Sequence, residues 1–252
     1  MGHCKLCLEE KVLELSHSIP KSFFKKIKED GKVTIIQNKK SKIHGAFDPK
    51  EYMLCRDCEQ FINNEYERYG LRILRDYSKF KKNPKHIIIP SVKYEKFYLY
   101  LISILWRASL AQHEHYDTLS LGEGLEGLLR HCIYGKKIRI NRLSHHRLDH
   151  VVRISIFRVV DSSGHIPDEV IRSLLTNFVQ RIESSYEGVS CYFMAEGFII
   201  FFNIFFGKDE HKNRTVRLKS QLRKIGDQKI LKLEISQSRI LMDIFREIVE
   251  AK

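Results

Sequence analysis

The chain has 252 residues, 43% of them apolar, which is enough to bury one or two hydrophobic cores and excludes a disordered chain. Its six cysteines are too few for a disulfide scaffold, and its longest apolar run, residues 198–206, is too short to cross a bilayer. Lysine and arginine outnumber the acidic residues 44 to 31. The resulting net charge of +13 favours nucleic acid as a partner over a basic surface that is merely solvated.

The first residues lead directly into a cysteine pair and offer no signal peptide. A myristoylation motif is not expected either, because Cys7 stands where that motif requires Ser or Thr. Cysteines that come in pairs are typical of metal binding in a reducing compartment. We therefore expect a cytoplasmic protein that has no contact with a membrane.

The N-terminal segment, residues 1–78, is predicted to be a compact module with little core of its own. Its periodicity indicates strands and helices, namely strands at 12–15 and 33–37 and helices from about 21 and over 59–77. The next segment, residues 79–146, begins with a lysine-rich linker at 79–91 that contains two prolines. Two helices follow, at 94–111 and 119–134, and we expect them to pack on each other and cover the N-terminal module.

The third segment, residues 147–252, shows the periodicity of strands and is predicted to be an α+β domain of unknown role. We expect a small antiparallel sheet with two helices: strands at 151–160, 189–195, 198–206 and 230–235, and helices at 167–184 and 236–249. The dipeptide Glu196-Gly197 is typical of a two-residue hairpin turn. The chain as a whole is thus predicted to be an α+β protein.

Two Cys-x-x-Cys pairs, Cys4 with Cys7 and Cys55 with Cys58, predict a zinc site. Each pair presents two thiolates about one turn apart, and four thiolates fill the tetrahedral shell of Zn²⁺. The ion would therefore be structural, and its binding would help to fold a module too small to be stable alone. Thioredoxin-like redox chemistry is a weaker alternative, since neither pair stands between a strand and a helix of a βαβ unit.

Three other groups of residues are predicted to have structural rather than functional roles. Cys132 and Cys191 lie on apolar elements and are predicted to be buried thiols. Arg107 stands among apolar residues of a predicted helix and needs a buried partner, for which a carboxylate is favoured over a phosphate. Five histidines in polar connecting segments lack a full set of metal ligands and are interpreted as surface residues: His113, His115, His145, His146 and His150.

A histidine lies between the two cysteine pairs in a recognisable arrangement. His17 follows the first pair after nine residues and precedes Ser18-Ile19-Pro20, and the second pair opens a helix. In this layout the chain resembles HNH endonucleases with a four-cysteine zinc site, over residues 4 to about 67. It is also similar to uncharacterised bacterial HNH-like proteins that share Trp-Arg-Ala-Ser, here residues 106–109. The resemblance implies an N-terminal treble-clef, or ββα-metal, zinc module.

The resemblance also implies roles for individual residues. His17 takes the position of the general base that activates water against a phosphodiester. Glu59, directly after the last cysteine, stands where the family has a ligand of the catalytic divalent metal, here Mg²⁺ or Mn²⁺. Ser16 replaces another metal ligand of the family, and Asp48 is the nearest polar candidate for the asparagine that orients the base. Three lysines would hold the nucleic-acid backbone: Lys21, Lys25 and Lys26.

Two functional hypotheses follow. In the first, the protein is a divalent-metal-dependent endonuclease that cuts nucleic acid, with DNA favoured, in bacterial defence or on a mobile element. In the second, it is a non-catalytic zinc module that binds nucleic acid or a partner protein within a larger complex. Nicking of plasmid that depends on Mg²⁺ or Mn²⁺ and on His17 would discriminate between them.

Overall fold

The computed structural model describes residues 1–20, 23, 35–37, 41–43, 50–112, 119–140, 146–182, 187–206 and 216–249. These residues form a mixed α/β fold with a seven-stranded sheet and helices. The predicted mixture of helices and strands is confirmed. The sheet, however, is larger than the predicted one and is not purely antiparallel, because one pair of its strands runs parallel.

Short strands lie in the N-terminal part of the chain, and a long helix follows them. The strands are β1 (Gly2–His3), β2 (Glu10–Lys11), β3 (Leu13–His17), β4 (Ile35–Gln37), β5 (Ser41–Ile43) and β6 (Lys50–Cys55). The helix consists of α1 (Arg56–Ile62), a π-helical segment (Asn63–Glu67) and α2 (Arg68–Arg75). Strand β1 pairs with β2, and β3 pairs antiparallel with β6. The helix begins after Cys55, whose backbone is extended. Asp57 and Glu59 lie in its first turn, where the positive end of the helix dipole stabilises their negative charges.

The central helix α3 (Tyr94–Leu110) is buried over most of its length, in agreement with its apolar sequence. It packs against α2 and against α4 (Glu123–Tyr134), so the predicted pairing of the two helices is confirmed. Arg130 on α4 donates a hydrogen bond to the carbonyl of Leu6 at 3.0 Å, which connects this helix pair to the first cysteine loop. No helix in the described part of the chain has the length and apolar character that a membrane crossing requires.

The strands of the seven-stranded sheet are β7 (Lys81–Lys82), β8 (His86–Ile89), β9 (Val152–Val160), β11 (Val179–Ile182), β12 (Gly188–Ala195), β13 (Phe198–Phe205) and β14 (Gln228–Glu234). Their order in the sheet is β11-β12-β13-β9-β14-β8-β7. Neighbouring strands are antiparallel except β9 and β14, which pair parallel with Leu231 opposite Phe157. A separate short strand, β10 (Leu175–Thr176), pairs parallel with β4. The described part of the chain also contains the helices α5 (Leu148–Val151), α6 (Asp168–Ser173) and α7 (Arg239–Val249), and 3₁₀ turns at Tyr77–Lys79 and Ile235–Gln237.

Two predicted elements differ from the structure. The segment 79–91, expected to be a linker, supplies strands β7 and β8 at one edge of the sheet. The helix expected over 167–184 ends at Ser173, and the chain continues as β10 and β11. β-Branched residues favour an extended chain there, and the Thr176 hydroxyl accepts a hydrogen bond from the Met194 backbone N–H at 2.8 Å.

The predicted hairpin turn joins β12 to β13 and is held by the N-terminal helix. Glu196 and Gly197 have φ angles of +52° and +73°, the left-handed conformation that a two-residue turn of this kind requires. The Glu196 carboxylate, almost fully buried, accepts two hydrogen bonds from Arg75 at 2.6 and 2.8 Å. The Tyr77 hydroxyl donates to the Glu196 carbonyl. The turn therefore connects the sheet to the end of α2.

The buried side chains of the described residues form two clusters. The larger cluster contains residues from all three predicted segments, for example Leu6, Tyr100 and Phe202. The smaller cluster lies between the sheet and α7, and it includes Val159 and Leu241. A continuous core thus extends from the cysteine pairs into the seven-stranded sheet. The segment boundaries at residues 78 and 146 stay predictions.

Candidate metal centre

The four cysteines of the two pairs come together at one place. Their sulfur atoms all lie within 4.8 Å of one another, and only Cys7 is more than slightly exposed. For comparison, a Zn–S distance of about 2.3 Å in a tetrahedral site places the sulfurs about 3.8 Å apart. Within the described residues, no other group of three or more His, Cys, Asp or Glu side chains is arranged in this way.

Backbone hydrogen bonds shape the first cysteine loop. The N–H of Leu8 donates to the Cys4 carbonyl at 2.9 Å, and the N–H of Cys4 donates to the Glu9 carbonyl at 3.0 Å. From the other side of the cluster, the N–H of Cys55 donates to Cys4 Sγ at 3.3 Å. These contacts turn the sulfur of Cys4 towards the second pair, which sits where β6 ends and α1 begins.

The electrostatics of the cluster suit a cation. Burial opposes ionisation of Cys4, yet N–H donors from Cys55, Cys7 and Leu6 together hold the pKa of its thiol at about 7. Burial and the neighbouring sulfurs raise the pKa of Cys58 well above its usual value, because several thiolates at this separation repel one another. A divalent ion removes that repulsion, so the four cysteines can bind a metal ion such as zinc.

The two remaining cysteines are separate from the cluster and fully buried, as predicted. Burial raises the pKa of Cys132 to about 11 and that of Cys191 to about 12. Both thiols are therefore neutral near pH 7, and among the described residues neither lies in a group of metal-ligating side chains.

His17 is the last residue of β3, where it pairs with Lys50 of β6. The residue is 7% exposed. Its backbone carbonyl accepts a hydrogen bond from Arg107 Nη1 at 3.2 Å. Ser16 beside it is fully buried, and its hydroxyl donates to the Glu14 carbonyl of the same strand at 3.4 Å.

Arg107 has the carboxylate partner that the sequence predicts. Its Nη2 lies 2.7 Å from Glu67 Oε1, and its Nε donates to the Ser103 carbonyl at 3.2 Å. The guanidinium is 1% exposed and connects three elements: α3, the π-helical segment and the end of β3 at His17. The backbone of His17 is consequently fixed against the helix that leaves the cysteine cluster.

Glu59 lies in the first turn of α1, directly after Cys58, and is half-buried. Its Oε2 is buried and has no hydrogen-bond partner among the described residues. Because α1 packs against both β3 and β6, the helix carrying Glu59 adjoins the strand that ends in His17. The other predicted site residues, Asp48 and the three lysines Lys21, Lys25 and Lys26, lie outside the described residues.

Among the described residues, neither His146 nor His150 belongs to the cysteine cluster. His146 is exposed, and His150 lies 3.9 Å from the carboxylate of Asp149, while positions 113, 115 and 145 are outside the described residues.

Glu67 was not among the predicted site residues. A signal for it existed, because positions 59, 63 and 67 recur at the helical spacing of four on one face.

Comparisons of the chain with protein-family models, with curated proteins and with solved structures return no match. The geometry of the site and the sequence pattern therefore carry the functional argument.

Proposed function

We propose that the protein is a divalent-metal-dependent endonuclease of the HNH type, with DNA as its favoured substrate. The observation that carries this proposal is the order of elements at the cysteine cluster. A strand ending in His17 pairs with a strand ending at Cys55, and a helix follows with Glu59 in its first turn. That order corresponds to the ββα arrangement of HNH endonucleases. A treble-clef module with zinc on its four cysteines is part of the proposal.

In the proposed reaction His17 is the general base. Its imidazole accepts a proton from water while the water oxygen attacks phosphorus and the bond to the leaving oxygen breaks. Glu59 would hold Mg²⁺ or Mn²⁺, which when bound offsets the negative charge that develops on the phosphate. The buried Oε2 of Glu59 supports this role, since a carboxylate oxygen without a hydrogen-bond donor is stabilised by a cation.

Arg107 supports the proposal through position rather than through contact with substrate. It holds the carbonyl of His17 at 3.2 Å while its charge is neutralised by Glu67 at 2.7 Å. A general base must stay within hydrogen-bond distance of the attacking water, so a fixed backbone at His17 favours catalysis.

A second candidate function has its own observation. At 7% exposure, the side chain of His17 offers little surface to a substrate, and Ser16 is fully buried. Both facts favour a non-catalytic zinc module that binds nucleic acid or a partner protein. A role in bacterial defence or on a mobile element is proposed for either function, from the resemblance alone.

Plasmid nicking in the presence of Mg²⁺ or Mn²⁺ tests the proposal. Replacement of His17 by Ala removes the base and should slow nicking by about 10²- to 10⁴-fold. Glu59→Gln should raise the Mg²⁺ or Mn²⁺ concentration needed for half-maximal nicking. His150→Ala is the matched control, because His150 is a half-buried histidine on α5 and should nick like wild type.

The outcomes separate the two candidates. Nicking that persists in the His17→Ala variant would reject His17 as the base and point to a contaminating nuclease or another residue. A wild-type protein with a full complement of bound metal that nicks under none of these conditions would favour the binding module.

A further inference from the structure

A cleft with a volume of about 720 Å³ opens beside the π-helical segment. It is bounded by that segment, by the start of α3 and by the chain just after α4 and just before β14. Its lining contains five cations, which come from four separate parts of the chain: Lys93, Lys96, Lys136, Arg147 and Lys224. Two carboxylates, Glu65 and Glu95, also line it. The cations therefore outnumber the acids.

Acidic neighbours neutralise some of these cations but not all. Lys136 pairs with Glu65 at 3.0 Å, and Arg147 and Lys224 both contact the buried carboxylate of Asp149, at 3.0 and 3.2 Å. Among the described residues, by contrast, Lys93 and Lys96 have no carboxylate within ion-pair distance. The amine of Lys96 instead lies 5.7 Å from the centre of the Tyr69 ring. These two lysines leave the mouth of the cleft positively charged.

The wall of the cleft has an unusual backbone. Residues Asn63–Glu67 form a π-helical turn inside an otherwise α-helical rod, a feature that occurs frequently at functional sites. The hydroxyl of Tyr66 in this turn donates to the Ile133 carbonyl at 2.6 Å, which fixes the wall against α4. Along the rod, Glu65 is seven residues from Cys58, or about 10 Å at the usual rise of a helix. The cleft thus lies on the same helix as the candidate metal centre.

We propose that this cleft binds the phosphodiester backbone of a nucleic-acid strand. Its cations stand at the rim, where Lys93 and Lys136 are exposed and Ile225 beside them is 89% exposed. Rim cations suit a chain of phosphates that runs across the opening, whereas a free nucleotide is normally enclosed by its pocket. The inference rests on the proposed function only for its choice of nucleic acid as ligand and does not require cleavage.

Binding of fluorescently labelled oligonucleotides, measured by anisotropy without added Mg²⁺ and in the His17→Ala background, tests the inference. The cleft variant is Lys93→Glu/Lys96→Glu, in which acidic residues at the start of α3 remain compatible with the helix dipole. It should weaken binding by about tenfold or more, and the slope of log affinity against log salt should shrink by about 1.5. Inorganic phosphate and a nucleoside monophosphate are added as competitors.

The matched control is Arg239→Glu/Arg246→Glu, which changes the net charge equally on exposed residues of α7, a helix that packs on the smaller core cluster. This control should retain most of the wild-type affinity. Equal losses in both variants would show a general charge effect and overturn the inference, as would wild-type affinity in the cleft variant. Displacement of the oligonucleotide by low concentrations of the monophosphate or of phosphate would also overturn it, since the site would then hold a small anion.

The result is separable from the outcome of the nicking assay. Cleft-dependent binding without any nicking would sustain this inference and reject the nuclease. Nicking by the wild-type protein, together with normal binding by the cleft variant, would sustain the nuclease and reject this inference.

Discussion

Replacement of Arg107 by Met should be among the more damaging single changes in this protein. The guanidinium is 1% exposed and holds Glu67, the Ser103 carbonyl and the His17 carbonyl. Met fills a similar volume but leaves the carboxylate of Glu67 without its cation. Breaking a buried pair in this way costs about 3–5 kcal/mol, and we take the lower end because Glu67 keeps 16% exposure. For a chain of this size, about 3 kcal/mol lowers Tm by roughly 6–12 °C.

Thermal unfolding followed by circular dichroism measures this effect. The double variant Arg107→Met/Glu67→Gln should cost less than the sum of the two single changes, because it leaves no uncompensated charge. Lys79→Ala is the control: Lys79 forms an exposed pair with Asp76, and its loss should leave Tm unchanged within error. A fall of less than about 2 °C for Arg107→Met, or strict additivity in the double variant, would refute the reasoning.

Three further changes have defined outcomes. Gly70→Ala should destabilise the protein by about 2 kcal/mol or more in urea unfolding, because the new Cβ would lie 2.0 Å from the buried ring of Tyr100. Wild-type stability of this variant would show that α2 and α3 separate easily. Gly197→Ala should cost about 1 kcal/mol, since its φ is +73°, and an unchanged urea midpoint would contradict the turn geometry. Cys132 and Cys191 should resist a thiol reagent at pH 8 until the protein unfolds, because burial raises the pKa of these thiols to about 11 and 12; rapid labelling of either in the native state would disprove their burial.

Local patterns in the sequence predicted the features that depend on few neighbours. The spacing of the cysteine pairs was sufficient to predict that four sulfurs lie together, and a long apolar run was sufficient to predict the helix α3. The turn at Glu196-Gly197 was predictable because its φ angles suit those residue types. Arg107 was predictable as half of an ion pair, since a guanidinium within an apolar helix needs a partner.

Features that depend on distant pairing were not predictable. The sequence of β8 is typical of a linker because lysines and prolines flank it, and its partner β14 lies about 140 residues further along the chain. The parallel pairing of β9 with β14 has no local signature either. The segment after Ser173 has apolar residues at spacings that fit a helix, but pairing with β12 makes residues 179–182 a strand.

The same distinction applies to the candidate site. Its cysteines could be found from spacing, and Glu59 and His17 from the resemblance to HNH endonucleases. Arg107 and Glu67 link the backbone of His17 to the π-helical segment, and this link depends on tertiary packing of α3 against that segment. That packing could not be inferred from the local sequence, although the helical spacing from position 59 to 67 pointed to one face.

The central claim is that the four clustered cysteines bind one zinc ion, and native mass spectrometry tests it most directly. Protein purified without chelators should carry one zinc ion per chain. The variant Cys55→Ser/Cys58→Ser should lose it, whereas Cys132→Ala/Cys191→Ala, with equal loss of thiols outside the cluster, should keep it. A wild-type chain that binds no zinc, or retention of the ion in the first variant, would contradict the account.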